Sequence, residues 1–497
     1  MKFSEVMENE TRITETENGC IALNTTGEKC LDLFSTVGAL RDADNDRITR
    51  LFDDAFAEEP LLARKIMFYA RDIRGGAKIG ERRVFRVLLK HMAMYHTESM
   101  RKNLPLVPFY GRWDDLYEFV DTPLEDDMWK LVKMQLEEDT KNIRENKSVS
   151  LLAKWLKSSD ASSRNTRKLG IYTAQKLGLS VYEYRHTLKN LRKYLDIVER
   201  KMSAKEWSDI EYSKVPSKAM LLYRHAFIEH DGLRYQKFIS RVLNGEEKIN
   251  ADTLYPYDII GKLINFGLGG IGIKNLSQDE SDALEAEWRN LPNYVGDDNA
   301  IVMADTSGSM AWASNGRPFN TALGLAIYFA QRNKGCYNGL WMTFSQSPEF
   351  HRIKGQTLCQ ILKNTDCSGW GMNTNLESAF ELVLDRAIEN NVSQEEMPKS
   401  IIVISDMEID GCVESNWTFY DEMADRFAEY GYEIPNVVFW NVESRHDIFH
   451  ADAKRKGVQL VSGQSVGMFK QLINTIGKTP VESMLQMLSD PRYDLVV

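Results

Sequence analysis

Residues 302–310 read VMADTSGSM: an apolar run stops at Asp305 and continues in alternating hydroxyls, Ser307 and Ser309. A turn needs polar residues, but it does not need oxygens at i, i+2 and i+4. Just upstream, AIVMA (300–304) is a short apolar run suited to a buried strand. The alternation then continues downstream. PFNTALGLAIYFAQRN reads as helix and NGLWMTFS as strand, followed by a helix near 375–390, the strand SIIVIS, a helix near 420–430 and the strand NVVFW. Strands alternating with helices predict a parallel sheet covered on both faces, with ligands gathering at the carboxyl ends of its strands. The DTSGSM loop leaves such an end.

Asp305, Ser307 and Ser309 are hard oxygen donors, and Gly308 frees the backbone to turn alternate side chains inward. Such a set suits Mg²⁺ or Mn²⁺, which take oxygen ligands in octahedral geometry. Three donors from one loop are too few. SGWGMNTN, which carries Thr374 ahead of a helix, and IIVISDM, which closes a strand with Asp406, offer two more.

In these residues the second half resembles the von Willebrand factor A domain, whose metal-ion-dependent adhesion site combines Asp-x-Ser-x-Ser with a distant Thr and a distant Asp. The resemblance implies a metal set of Asp305, Ser307, Ser309, Thr374 and Asp406. The two serines would touch Mg²⁺ or another divalent cation directly, Thr374 directly or through water, and the two aspartates largely through water. An open position would take a carboxylate from a protein partner. An aspartyl-phosphate enzyme would want an acid at position 307, where this chain has serine. HExxH, GxSxG and GxxxxGK[ST] are also absent, so the expectation is a protein that is not an enzyme.

The first half reads as one helix after another. GERRVFRVLLKHMAMYH places Val84, Val87, Leu88, Met92 and Tyr95 on one stripe, with Arg82, Arg83, Arg86 and Lys90 mostly off it. Ser180 with Glu183, Ser203 with Glu206 and Ser277 with Glu280 have capping-box spacing and mark helix starts. Serial amphipathic helices predict an α-helical repeat array, HEAT-like and in one arrangement ring-shaped. The expected fold is therefore two-domain: an all-α part over 1–295 and an α/β doubly wound, Rossmann-like domain over 296–497.

The 497 residues carry a net charge of −10, and the acidity is one-sided. Residues 296–497 hold 16 basic and 26 acidic side chains, whereas 1–295 hold 46 of each. Within the neutral half, 64–102 hold 11 basic against 3 acidic residues, and 154–205 hold 13 against 4. Such clusters are either solvated helix faces or phosphate-binding surfaces. Six scattered cysteines without a CxxC pair, no secretory core at the start and no long apolar run point to a reducing cytoplasm and away from membranes.

ARDIRGGAKIGERR, PFYGRWDDLY, LLAKWLKS, YRHTLKNLRKYLDIVE and VPSKAMLLYRHAF together resemble the TROVE module of Ro autoantigens and telomerase-associated protein, a helical ring joined to an A domain. An uncharacterised family of plants, bacteria and phages shares this plan more closely. The likeness runs from about Thr16 across nearly the whole chain. It implies a ribonucleoprotein scaffold that binds structured or misfolded small noncoding RNA, with no DNA sequence readout. The implied RNA contacts are Arg74, Lys78, Arg82, Arg83, Arg112, Lys154, Arg164, Arg167, Lys168, Arg185, Lys189 and Arg192.

Arg and Lys neutralise phosphates, and Tyr110, Trp113, Trp155 and Tyr172 are aromatic platforms for unpaired bases. Core packing is the competing role for Trp113 and Trp155, and pairing with Asp114 or Asp115 for Arg112. The alternative function is a protein–protein interaction scaffold without RNA. His91, on the apolar stripe, reads as a satisfied core histidine, His446 and His450 as surface or cap residues, and Cys359 and Cys367 as buried thiols.

Overall fold

The computed structural model describes residues 11–267, 270–296, 299–344, 347–365, 374–410 and 419–497. Cys367, Cys412 and most of the SGWGMNTN loop lie outside them. No described helix is long and apolar enough to cross a membrane.

A six-stranded sheet organises the second half. Its strands are β5 (Ala300–Asp305), β6 (Leu340–Phe344), β7 (Glu349–Arg352), β8 (Ser400–Ser405), β9 (Asn436–Asn441) and β10 (Val458–Ser462), in the order β10-β9-β8-β5-β6-β7. All neighbours are parallel except β6 and β7. Every residue of β5, β8 and β10 is buried, which requires cover on both faces. The chain runs from β5 outward to β6 and β7, then returns to the other side of β5 as β8. The ends of β5 and β8 therefore flank the point where strand order reverses, the place where α/β sheets open a binding crevice.

The first half is helical apart from two small hairpins, β1 (Ile13–Glu15) with β2 (Ile21–Leu23) and β3 (Ile264–Gly267) with β4 (Gly270–Ile273). Helices near in sequence pack on one another: Lys29–Thr36 on Asn45–Glu58, Asn45–Glu58 on Pro60–Arg71 and on Arg83–Tyr95, and Arg164–Lys176 on Val181–Tyr194. The capping boxes at Ser180 and Ser277 form as expected. Ser203 instead ends the helix Val198–Ser203, its hydroxyl donating to the Glu199 carbonyl, because a hydroxyl can satisfy either end of a helix. Val84, Leu88 and Met92 face the core, but Tyr95 is 73% exposed at the last turn.

The halves share one apolar core that also contains the sheet. The helix Lys29–Thr36 lies against β9 and β10, and Pro256–Leu263 lies against Arg317–Arg332. Close approach is built in at Gly38, where a Cβ would stand 2.7 Å from the Ser462 backbone.

The ARDIRGG stretch joins the halves through charge. Arg71, fully buried, donates from Nε and Nη2 to Asp115 Oδ2 at 2.9 and 2.8 Å. Asp115 also accepts from Arg86 Nε at 2.7 Å and the Arg112 N–H at 3.0 Å. The next acid, Asp72, takes Arg492 Nη2 at 3.0 Å and the Arg74 and Gly75 N–H groups at 2.9 and 3.0 Å.

Candidate functional site

Asp305 is the last residue of β5 and Asp406 follows the last residue of β8. Strand pairing of Ala304 with Ile404 brings them to one rim. Asp305 is fully buried: Oδ1 accepts the Ser307 N–H at 2.9 Å and Oδ2 the Ser405 hydroxyl at 2.6 Å. The Ser307 and Ser309 hydroxyl oxygens are 3.0 Å apart. Thr374, also buried, is tied to the rim through its backbone: its N–H donates to Asp410 Oδ2 at 2.6 Å and its carbonyl accepts the Asp410 N–H at 3.0 Å. Burial drives the Asp305 carboxyl well above the ordinary range. The neighbouring Asp406 pushes the same way, against the hydrogen bonds from Ser405 and Ser307.

The oxygens of these residues are of the kind a hard divalent cation takes, and the two serine hydroxyls, hydrogen-bonded to each other here, have a spacing that suits one. Two cis oxygens on an octahedral ion with bonds of about 2.1 Å stand about 3.0 Å apart, which is the separation of the two serine hydroxyls. Asp305 is occupied on both oxygens, which suits contact through water and orientation of the loop. The buried Thr306 hydroxyl has no partner among the described residues. Ser309 is only half-buried, so the site opens on its side; Trp312, three residues further on, is 64% exposed.

Of the second half of the rim, sequence reasoning found Asp406 but missed Glu408 and Asp410. Asp406, Glu408 and Asp410 alternate as Asp305, Ser307 and Ser309 do, and that repetition was the available signal. Arg445 Nη2 meets Asp406 Oδ2 at 3.1 Å and Nη1 meets Glu17 Oε2 at 2.5 Å. Glu408, buried, accepts from His446 Nδ1 at 2.8 Å and from the Glu17 N–H at 2.8 Å. The segment 16–19 thus lies on the Asp406 loop: Thr16 donates to the Ile409 carbonyl at 2.6 Å, and Gly19 bridges to Asp410. Arg47 holds the Arg445 loop from the helical half, donating to the Ser444 and Arg445 carbonyls at 2.6 and 2.9 Å. His450 is buried and hydrogen-bonded at Nε2 to the Met407 carbonyl, so His446 and His450 have separate partners.

The twelve basic candidates divide by what holds them. Arg74 donates to the Phe109 and Gly111 carbonyls, Arg83 to those of Arg41 and Ala43, and Arg192 to those of Ala153 and Leu156; these three brace loops. Arg112 pairs with Asp114 at 3.0 Å and lies 4.0 Å over the Trp155 ring, so that face is covered. Lys78 is near Asp252 and Lys154 near Glu199, at 3.9 and 4.0 Å, and Arg185 pairs with Asp160 at 3.0 Å. Arg82, Arg164, Lys168 and Lys189 are exposed, with no acid on them among the described residues. Arg167, also exposed, donates to the Ala161 and Ser162 carbonyls, and among the described residues no acid neutralises its charge.

Of the aromatic candidates, Tyr110 is fully buried and stacks on Tyr493, so no base reaches its face. Tyr172 is half-buried against Trp129 and hydrogen-bonded to Glu125, and Trp113 packs on the core. Cys359 is half-buried rather than buried.

The molecule is thus a helical-array protein carrying an α/β domain with an oxygen-lined rim at its strand-order switch. The family described as domain of unknown function DUF2828 matches residues 16–168 and 149–299, and that described as domain of unknown function DUF7788 matches 299–489. The chain belongs to the DUF2828 family. It is 28% identical to the uncharacterized protein L728 of Acanthamoeba polyphaga mimivirus over 95% of its own length and 86% of that protein's. The crystal structure of the Ro (RSR) protein of Deinococcus radiodurans aligns with 90% of the chain and 92% of itself at 13% identity, with a TM-score of 0.32. Superposition at that level does not equate the two folds.

Proposed function

We propose that this protein is a non-enzymatic, cytoplasmic RNA-binding scaffold of the Ro type, divided near 295/296. The helical half, as a HEAT-like and ring-shaped array, holds structured or misfolded small RNA on its basic surface. The von Willebrand A-like domain docks a protein partner. The observation that carries this reading is the unneutralised cationic run of exposed Arg164, Arg167 and Lys168, with exposed Lys189 on the next helix, in a half whose total charge is zero. Arg164 and Lys168 are one turn apart and present charge together to a phosphate backbone.

On the acidic domain, Ser307, Ser309 and Thr374 would hold Mg²⁺, with Asp305 and Asp406 behind them. When bound, the ion supplies a Lewis-acidic position for a partner carboxylate. Ser405 and the Ser307 N–H orient Asp305, Arg445 orients Asp406, and Trp312 offers an exposed ring for the partner to cover.

The test is a salt titration of binding to a small structured RNA with a single-stranded 3′ tail, against a blunt duplex. Binding that prefers the tail and falls log-linearly with salt supports the reading. Flat, weak binding to both favours the second reading, a protein-docking platform without RNA, for which Arg74, Arg83 and Arg192 already argue as internal braces.

A further inference from the structure

Away from the rim, three metal-ligating side chains meet on the helical half. His91 lies in the helix Arg83–Tyr95, and His96 caps that helix where the next one, Thr97–Asn103, begins. Asp53 comes from the helix Asn45–Glu58. Asp53 Oδ1 is 2.6 Å from His91 Nε2 and 4.0 Å from His96 Nε2, and one ligand atom from each residue lies within 4.8 Å of the others. His91, its side chain 12% exposed and edge-on to the core ring of Phe52, is satisfied as its place on the apolar stripe suggests, but its partner is a carboxylate that is 48% exposed.

We propose that Asp53, His91 and His96 form a binding site for a divalent cation of the zinc class, clipping the helix Asn45–Glu58 to the end of Arg83–Tyr95. Ligand atoms of a tetrahedral ion with bonds of about 2.0–2.1 Å stand about 3.3 Å apart. The two carboxylate–imidazole separations bracket that edge and the imidazole–imidazole one is no more than 4.8 Å, so side-chain adjustments of about 1–1.5 Å complete the set. Two imidazoles with one carboxylate select zinc-like metals over Mg²⁺, which prefers oxygen alone. The site is thus chemically distinct from the oxygen-lined rim.

Its walls hold the rings in place. The His96 ring lies 4.0 Å from that of Phe56, and His91 lies between Tyr95, at 4.8 Å, and the edge of Phe52, at 6.3 Å. Three protein ligands and the exposure of Asp53 leave a fourth position to water.

The experiment uses the full chain, stripped with a chelator and titrated with Zn²⁺, and separately with Co²⁺ read by visible absorption, in excess Mg²⁺. One equivalent is expected to bind and to raise the melting temperature. His91→Ala and Asp53→Asn weaken binding at least about tenfold, since losing a ligand costs no less than losing its outer-shell support. Asp305→Ala leaves it unchanged. Failure of the wild-type chain to bind either ion overturns the proposal, as does wild-type affinity in folded Asp53→Asn, which removes a charge from an exposed side chain and keeps its shape.

Discussion

Arg445 donates from Nη2 to Asp406 Oδ2 at 3.1 Å, which places a fixed cation on one of the two carboxylates at the β5–β8 switch. It competes with any metal drawn to the same charge. Replacing it as Arg445→Gln is expected to tighten Mn²⁺ or Mg²⁺ binding about tenfold, on the order of 1–2 kcal/mol for a partly screened charge. Asp305→Ala is expected to abolish that binding. Calorimetry or Mn²⁺ resonance reads both, and an Arg445→Gln chain with wild-type affinity would separate the metal from Asp406.

The exposed basic helix and the buried basic braces respond differently to mutation. Reversing Arg164, Arg167 and Lys168 to Glu should lower RNA affinity at least tenfold and flatten the salt slope by about 2, at roughly 0.7 per phosphate contact. Unchanged affinity in a folded triple variant would remove this face from the proposed RNA surface. Arg192→Ala should instead unfold more easily, by about 2–3 kcal/mol, because the Ala153 and Leu156 carbonyls and the Ser158 hydroxyl lose their donor together.

Arg71→Ala removes one of the two arginines on a fully buried carboxylate, leaving Arg86, and is expected to cost about 3 kcal/mol, the low end for breaking a buried pair, by denaturant unfolding.

The same carboxylate predicts an acid limb in stability. Burial pushes Asp115 up, but Arg71 and Arg86 outweigh it and hold the group below its ordinary value. A depressed folded pKa contributes stability that is present above the unfolded value, about 3.9, and is lost as pH falls below it. Thermal melts from pH 6 down to pH 2 should show the loss beginning near pH 4, and an Asp115→Asn chain, although weaker throughout, should show a shallower limb.

Gly38→Val should loosen the seam between the halves. Even one added carbon meets the Ser462 backbone at 2.7 Å, and overpacking of this kind costs about 1–3 kcal/mol. A melting temperature equal to that of the wild type would show that the seam yields without cost.

Much of the sheet was legible because its strands are short apolar runs whose environment is set by burial on both faces, as in AIVMA and SIIVIS. Asp305 and Asp406 could be assigned to one rim from strand order alone. The ARDIRGG stretch could not be read in this way. Its arginines look like a phosphate-binding run, yet Arg71 is held by Asp115, and Asp72 by Arg492, 420 positions away. Local spacing carries no information about such partners. Tyr95 continues a helical stripe past the point where the core ends, and the Ser203 hydroxyl serves a carbonyl in the turn before it. The rim acids Glu408 and Asp410 were visible as an alternation, but Glu17 gains its meaning only when 16–19 folds onto them.

That last contact sets an order of assembly during synthesis. Thr16 leaves the ribosome 393 residues before the Ile409 carbonyl it binds. At about 5–20 residues per second the leading segment waits on the order of 20–80 s for its partner loop. Until then the Thr16 hydroxyl and the Glu17 N–H lack their acceptors, Ile409 and Glu408. The rim therefore forms only once the Asp406 loop has emerged, and a chain cut short before Ile409 carries the helical half without a finished rim.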